Sequence, residues 1–474
     1  MSDYKLLIDG KLLAVEDSLP VINPADETLV ANCPLATGAH LEDAVAAAKR
    51  AGPAWAAKSF AERRGALLAI ADVLKANAED LSTLLTLEQG KPKVQADAEV
   101  AFSEIFCRHF ADQSLDPEVL FENEGQRVEV HRKPLGVVAG IMPWNFPLLI
   151  AVYKLAPALI VGNTLLLKPA PTTPLSVLKL GELIADILPP GVINILTDNN
   201  DLGPMITAHK DIAKISFTGS TPTGKAIMAA AAPTLKRLTL ELGGNDAAIV
   251  LDDVDPKQAA QGIFGAAFLN SGQVCIALKR LYVHESIYDE VCEEIAVLAR
   301  GAKVANGFDS GAEFGPVQNR AQYDKICNYL VDAREHGNII AGGEVSDEPG
   351  FFVPLTVVKD IEDGTAVVDE EPFGPILPIL KFSSEADVIA RANNSAYGLG
   401  GSVWSADPER ARQLSLQLDC GTVWINQHCA FGPNIPFPPA KESGLGVEWG
   451  EDGLKEFTAM QVVNINTAYQ EPVH

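Results

Sequence analysis

A chain of 474 residues exceeds the size at which a single hydrophobic core stops growing, so two or more domains are expected. Its 47% hydrophobic and 21% charged residues read as globular, and no run reaches the 18 apolar residues of a membrane span. A net charge of −25 argues against nucleic acid or an anionic membrane as partner and mainly serves solubility.

Met1-Ser-Asp-Tyr-Lys opens neither an apolar signal core nor an Arg-rich amphipathic stretch. The cysteines (Cys33, Cys107, Cys275, Cys292, Cys327, Cys420 and Cys429) lack CxxC or Cys/His ligand spacing. Reduced thiols in the cytoplasm and no metal site are therefore expected. Residues 4–36 read as short strands broken by Ile8-Asp-Gly10 and Asn23-Pro-Ala-Asp26. Helical periodicity follows over Leu41 to Ala51, Phe60 to Ala76 and Leu81 to Glu88, closed by Gly90 and Pro92, and a long helix starts at Val94. From Asp116 to Lys133 the chain is extended and charged, and Arg127-Val-Glu-Val-His alternates like a strand with one exposed face.

Beyond Pro134, apolar runs at Gly136 to Met142, Thr164 to Leu167, Val192 to Leu196, Lys214 to Phe217 and Arg237 to Leu240 alternate with helical segments at 149–160, 174–187, 202–208 and 221–231. This is the pattern of a parallel sheet covered by helices, without the usual G-x-G-x-x-G fingerprint. In its place Phe217-Thr-Gly219-Ser220-Thr-Pro-Thr-Gly224 sits where strand becomes helix. Gly219 permits close approach and free helix N–H groups can meet a phosphate, although an ordinary capped helix start has the same composition. Alternation continues through Ala247 to Leu251, a helix from Gln258, the strand Arg280 to His284 and the helix Ile287 to Ala302, and the tail after Phe457 alternates like a strand.

Phe268-Leu-Asn-Ser-Gly-Gln-Val-Cys275 places one thiol in a turn-prone segment, which makes Cys275 the candidate nucleophile. A thiol attacks as thiolate and needs a partner to take its proton. Leu238-Thr-Leu-Glu241-Leu-Gly-Gly-Asn245 ends a short apolar strand in a carboxylate and two glycines, and Glu241 is the candidate base. A lone cysteine is otherwise a small buried hydrophobe. Met142-Pro-Trp144-Asn145-Phe146-Pro147 follows a strand at its carboxyl end, where ligands bind in such sheets, and the Asn145 amide is a candidate oxyanion donor.

From Ile22-Asn-Pro-Ala to about Gly453 these segments, with Glu370-Glu371-Pro-Phe373-Gly-Pro375, resemble the NAD(P)-dependent aldehyde dehydrogenase superfamily. The resemblance implies an α/β fold with a Rossmann-like cofactor domain over 1–115 and 135–242 and a second α/β catalytic domain over 243–445. A β-strand oligomerisation arm and bridging segments would cover 116–134 and 446–474, giving a homodimer or homotetramer; on its residues alone 116–134 is equally a surface hairpin. It implies oxidation of an aldehyde by NAD or NADP through a Cys275 thiohemiacetal and a thioester that Glu241-activated water releases. Asn145 and the backbone N–H of Cys275 would form the oxyanion hole. Lys154 would manage the thiol proton, or, as the only charge in an apolar helix, snorkel to water.

On the cofactor side the resemblance places Trp144 near the phosphates with the turn Gly219, Ser220 and Gly224. It puts Lys168 on the adenosine ribose, Glu371 on the nicotinamide ribose and Phe373 beside the ring. Pro171 stands where relatives carry a glutamate that repels a 2′-phosphate, so NADP should be tolerated better than in relatives with the acid, and the preference stays open. Glu448 matches a second family acid. Phe146, Leu149, Ile150, Tyr153, Val274, Ile276, Phe431 and Phe437 would line the aldehyde tunnel, with His428 and Cys429 at its rim or merely filling the loop. Tyr153 replaces an arginine that clamps a carboxylate in some relatives, which favours an uncharged aromatic or medium aliphatic aldehyde. A dicarboxylic semialdehyde, or cysteine esterase or acyl-transferase chemistry, is the alternative. Val274, Ile276 and Asn245 depart from common family residues, as does Pro436-Phe-Pro-Pro.

Overall fold

The computed structural model describes residues 4–468, so the last six positions of the expected bridging segment 446–474 lie outside the described residues. Val137–Ile141 (β1), Thr164–Lys168 (β2), Ile193–Ile195 (β3), Lys214–Thr218 (β4) and Arg237–Glu241 (β5) are the parallel strands of an eight-stranded sheet, in spatial order β3-β2-β1-β4-β5. β1 to β4 are buried along their whole length, which is why β1 and the Leu165 to Leu167 stretch of β2 read as apolar runs, while Asn194 of β3 and Lys214 and Ser216 of β4 are buried polar residues. The chain winds outward from β1 to β3 and then returns to the other flank of β1 for β4. That reversal is a topological switch point, and Met142 to Phe146 and Thr218 to Ser220 leave the sheet there.

Three helices matter for the site: Lys93–Ala111 (α1), Pro147–Ile160 (α2) and Thr221–Ala231 (α3). Every residue of α2 is buried, Lys154 included. At the far edge Gly444–Leu445 pairs antiparallel with Leu240 and Glu241, so the first sheet takes back two late residues that the sequence reading groups with the second unit.

Only residues 242–245 separate β5 from Asp246–Val250 (β6), the first strand of a seven-stranded sheet. Leu278–His284 (β7), Ile376–Phe382 (β8) and Gly400–Trp404 (β9) run parallel to it, and Asn338–Ala341 is its antiparallel edge. Pro256–Phe268 (α4) packs on β7 and leads into the turn that carries Cys275. A third sheet pairs Gln126–Pro134 with Thr458–Asn466 along nine positions and carries Glu118–Glu122 on its other side. Val128 and Val130 face inward, as the alternation requires, whereas Val119, Leu120 and Phe121 of the edge strand are exposed.

Candidate active site

The turn that delivers Cys275 uses unusual backbone. Asn270 and Ser271 adopt φ of 51° and 56°, and Gly272 a φ of 73°. A Cβ on Gly272 would overlap the carbonyl of Gly374, so only glycine lets this turn close against the Glu371 loop. The Gln273 side chain fixes the turn from below, donating to Asn270 O at 2.9 Å and accepting from the Gln318 N–H at 2.8 Å.

Cys275 opens onto a cavity of about 370 Å³ lined from both large sheets. Burial pushes its thiol up to about 12; Lys279 pulls it down, while Glu241, Glu371 and Asp246 push it further up. The resting group is therefore a thiol that needs a base.

Glu241, at the carboxyl end of β5, lines the same cavity, 3% exposed, and neither carboxylate oxygen has a partner. Burial raises its pKa well above the ordinary carboxyl value; Glu448 adds to the rise and Lys154 opposes it. A buried carboxyl left without hydrogen bonds costs stability, and such groups concentrate where chemistry uses them.

Asn145 precedes α2 and is held by its main chain: its carbonyl accepts from Lys91 Nζ at 2.9 Å and Asn270 Nδ2 at 3.2 Å. Lys91 is paired at 2.5 Å with Glu99, whose other oxygen accepts from the N–H groups of Leu148 and Leu149 at the start of α2. The Asn145 amide donates to Gln273 O at 3.0 Å, which leaves it a second hydrogen.

Lys154 does not snorkel. It is fully buried and donates to Ser216 Oγ at 2.8 Å and Glu448 Oε1 at 3.0 Å, and Ser216 Oγ donates to the same Glu448 oxygen. A buried ammonium needs such a partner, and Glu448 supplies it.

On the cofactor side, Trp144, Gly219, Ser220, Glu371 and Phe373 line the cavity. Trp144 and Phe373 meet edge to face at 5.3 Å, with Phe373 held at a φ of 53°. Ser220 caps α3 and accepts the Thr223 N–H. Gly224 does not line the cavity; a Cβ there would meet Leu242 at 2.5 Å, so its smallness serves helix packing against the end of β5. Glu371 Oε1 accepts the Gly244 N–H at 2.9 Å, and Lys325 donates to the Glu371 carbonyl at 2.8 Å. Lys168 and Pro171 lie outside the cavity. The Lys168 ammonium is not left free for a phosphate, because it forms a buried 2.6 Å ion pair with Asp198. A helix start, an aromatic pair and a carboxylate leading to the thiol fit a dinucleotide carrying a nicotinamide end.

All eight tunnel residues expected from the sequence line the cavity. The sequence reading missed Phe102, Glu99 and Trp449, which line it too. Phe431 and Phe437 stack on Trp449 at 5.4 and 4.9 Å, Tyr153 meets it edge-on at 5.5 Å, and Phe102 lies 5.6 Å from Phe431. Gln95, Ala98, Glu99 and Phe102 share one face of α1 at i, i+3, i+4 and i+7, a spacing present in the sequence. His428 fills the loop: it is buried between Ser402 Oγ (2.9 Å) and Ile276 O (3.0 Å). Cys429 lines the cavity, with its Sγ 2.9 Å from the same carbonyl.

The sequence pattern of the aldehyde dehydrogenase family matches residues 13–463. The chain is 40% identical over 453 residues to a putative aldehyde dehydrogenase, FUS7, of Gibberella fujikuroi, covering 95% of this chain and 96% of that one. It is 38% identical to the phenylacetaldehyde dehydrogenase of Pseudomonas fluorescens, over 96% and 94% of the two chains. The NAD+ complex of an aldehyde dehydrogenase from Bacillus cereus superposes with a TM-score of 0.95 at 35% identity, covering 98% of this chain and 96% of that one. In sequence pattern, overall similarity and fold alike, the chain belongs to the aldehyde dehydrogenase family, whose activity is the oxidation of aldehydes to acids.

Proposed function

We propose that the protein oxidises uncharged aromatic aldehydes with NAD+, RCHO + NAD+ + H2O giving RCOOH + NADH + H+, by covalent catalysis at Cys275. The observation that carries the reading is the single cavity in which Cys275, an unpartnered Glu241 and the Asn145 amide stand against an apolar, aromatic wall. The Cys275 thiol loses its proton to Glu241, and Sγ adds to the aldehyde carbonyl. The second Asn145 amide hydrogen and the Cys275 backbone N–H hold the oxyanion. NAD+, when bound, accepts the hydride. Trp144, Gly219, Ser220, Glu371 and Phe373 would hold it, Glu371 through the nicotinamide ribose. Glu241 passes the thiol proton to solvent before the second half-reaction and then takes a proton from the water that opens the thioester; Lys154 favours its ionised form, against burial and Glu448. Residues 4–115 and 135–242, with the returning strand Gly444–Leu445, form the cofactor unit, and 243–443 form the catalytic unit. The exposed apolar edge at Val119 to Phe121 supports a homo-oligomer built through the 116–134 arm. Seven free cysteines support a reducing compartment such as the cytoplasm.

The substrate class rests on the rings around Trp449 and on a lining without arginine. Initial rates of absorbance rise at 340 nm across benzaldehydes, phenylacetaldehyde, alkanals and succinic semialdehyde test it. The aromatic aldehydes are expected to exceed succinic semialdehyde at least about tenfold in kcat/KM. A best rate with the semialdehyde would overturn the substrate assignment, and acid released from esters but never from aldehydes would overturn the reaction.

NAD+ is preferred over NADP+ because Asp198 follows β3 and neutralises Lys168 at the end of β2. Pro171 brings no carboxylate near Lys168, whereas Asp198, just beyond β3, brings one. It both engages the lysine and repels a 2′-phosphate. Asp198→Asn is expected to raise the NADP+/NAD+ ratio of kcat/KM about tenfold or more, with a matching fall in the NADP+ Kd read by tryptophan quenching. An unchanged ratio would remove Asp198 from cofactor choice.

A further inference from the structure

Lys279 is the second residue of β7, four positions beyond the nucleophile, and its side chain is 4% exposed. An ammonium this buried needs hydrogen-bond or ion-pair partners to replace water. It has two. Nζ donates to the main-chain carbonyl of Cys275 at 2.6 Å and lies 3.5 Å from Glu371 Oε1, the oxygen that also accepts the Gly244 N–H. One cation thus ties the nucleophile turn to the loop of Glu371.

The charges around the Cys275 thiol explain why a cation is needed there. Glu241 comes from the end of β5, Asp246 from β6 and Glu371 from the loop before β8, and all three oppose a thiolate. Cys429 and Tyr153 also face the thiol, and burial keeps both protonated. Lys279 is the cation that acts in the other direction.

We propose that Lys279 is a positioning residue that clamps the Cys275 main chain to Glu371 and holds a positive charge against the thiolate when Cys275 ionises. This rests on Cys275 being the nucleophile of the proposed reaction. A neutral side chain of similar length can fill the space of Lys279, but it cannot balance three carboxylates.

The test is the pH dependence of alkylation of Cys275 by iodoacetamide in the full-length protein without cofactor, followed as the mass of the Cys275 peptide. The reaction forms an S–C bond and releases iodide, so its rate follows the thiolate fraction. Lys279→Met is expected to slow alkylation about tenfold at pH 8 and to move the rising limb upward by about one pH unit. Lys279→Arg, which keeps the charge, should stay within about threefold of wild type. Glu371→Gln removes an opposing charge and should accelerate alkylation. A folded Lys279→Met with an unshifted limb would overturn the proposal, as would a Lys279→Arg as slow as Lys279→Met. If Lys279→Met does not fold, Lys279→Gln takes its place, and an unshifted limb there overturns the proposal. Alkylation reads the thiol without aldehyde or cofactor, so loss of the aldehyde reaction would sink the proposed activity and leave this result standing.

Discussion

Replacing Cys275 with alanine is expected to lower aldehyde-dependent reduction of NAD+ by at least about 10,000-fold, with cofactor affinity unchanged. The size follows from what remains. Asn145, Glu241 and the apolar walls still bind and polarise the aldehyde, but no other group in the cavity can make the covalent adduct from which hydride departs. Cys429, the other thiol lining the cavity, is no substitute: its sulfur lies 2.9 Å from the Ile276 carbonyl, to which the thiol donates. Stopped-flow absorbance at 340 nm with phenylacetaldehyde, beside the NAD+ Kd, separates chemistry from binding. A variant that keeps more than about a hundredth of the rate would mean that the thiol is not the nucleophile.

The parts of this site that could be read from the sequence are those whose cause is local. β1 and β2 are visible because strands buried on both faces leave apolar runs. The helix Phe60–Ala76 has the bounds expected because Ser59 and Glu62 form a capping box that states where it begins. Glu241 ends a strand before two glycines, Asn145 lies just before a helix that opens with proline, and Cys275 sits in the turn after Gly272, so their placement follows from local signals. What could not be read depends on distant partners. Whether Lys154 snorkels or is buried is decided by Glu448, 294 residues away. Lys168, expected on the adenosine ribose, has its ammonium held by Asp198, which comes from beyond the next strand. Gly444–Leu445 is too short for any periodicity and is a strand only because Leu240 and Glu241 offer an edge. Nothing local marks Lys279 as buried; the groups that hold its ammonium are the Cys275 carbonyl and Glu371.

Changing Glu241 to glutamine is expected to slow steady-state turnover by about 1,000-fold and to expose a burst of NADH, because acylation outlasts the loss better than thioester hydrolysis does. The amide keeps the shape but cannot take a proton from water, so acyl-enzyme should accumulate and be visible as added mass on the Cys275 peptide. The pH dependence has a definite sign. Glu241 acts only when ionised and burial holds its pKa well above 4.5, so wild-type hydrolysis rises with pH through that raised value, a limb the glutamine variant lacks. Stability runs the other way. Between the ordinary carboxyl pKa and the raised one, the folded state binds more protons than the unfolded chain, so Glu241 makes the protein less stable as pH rises. Glu241→Gln should therefore melt at a higher temperature than wild type at pH 8, with the gap closing toward pH 4. If turnover survives the change, or the gap widens toward acid, Glu241 is not a buried base. If both hold as expected, the two unpartnered oxygens beside Cys275 are a cost in stability kept for the hydrolytic step.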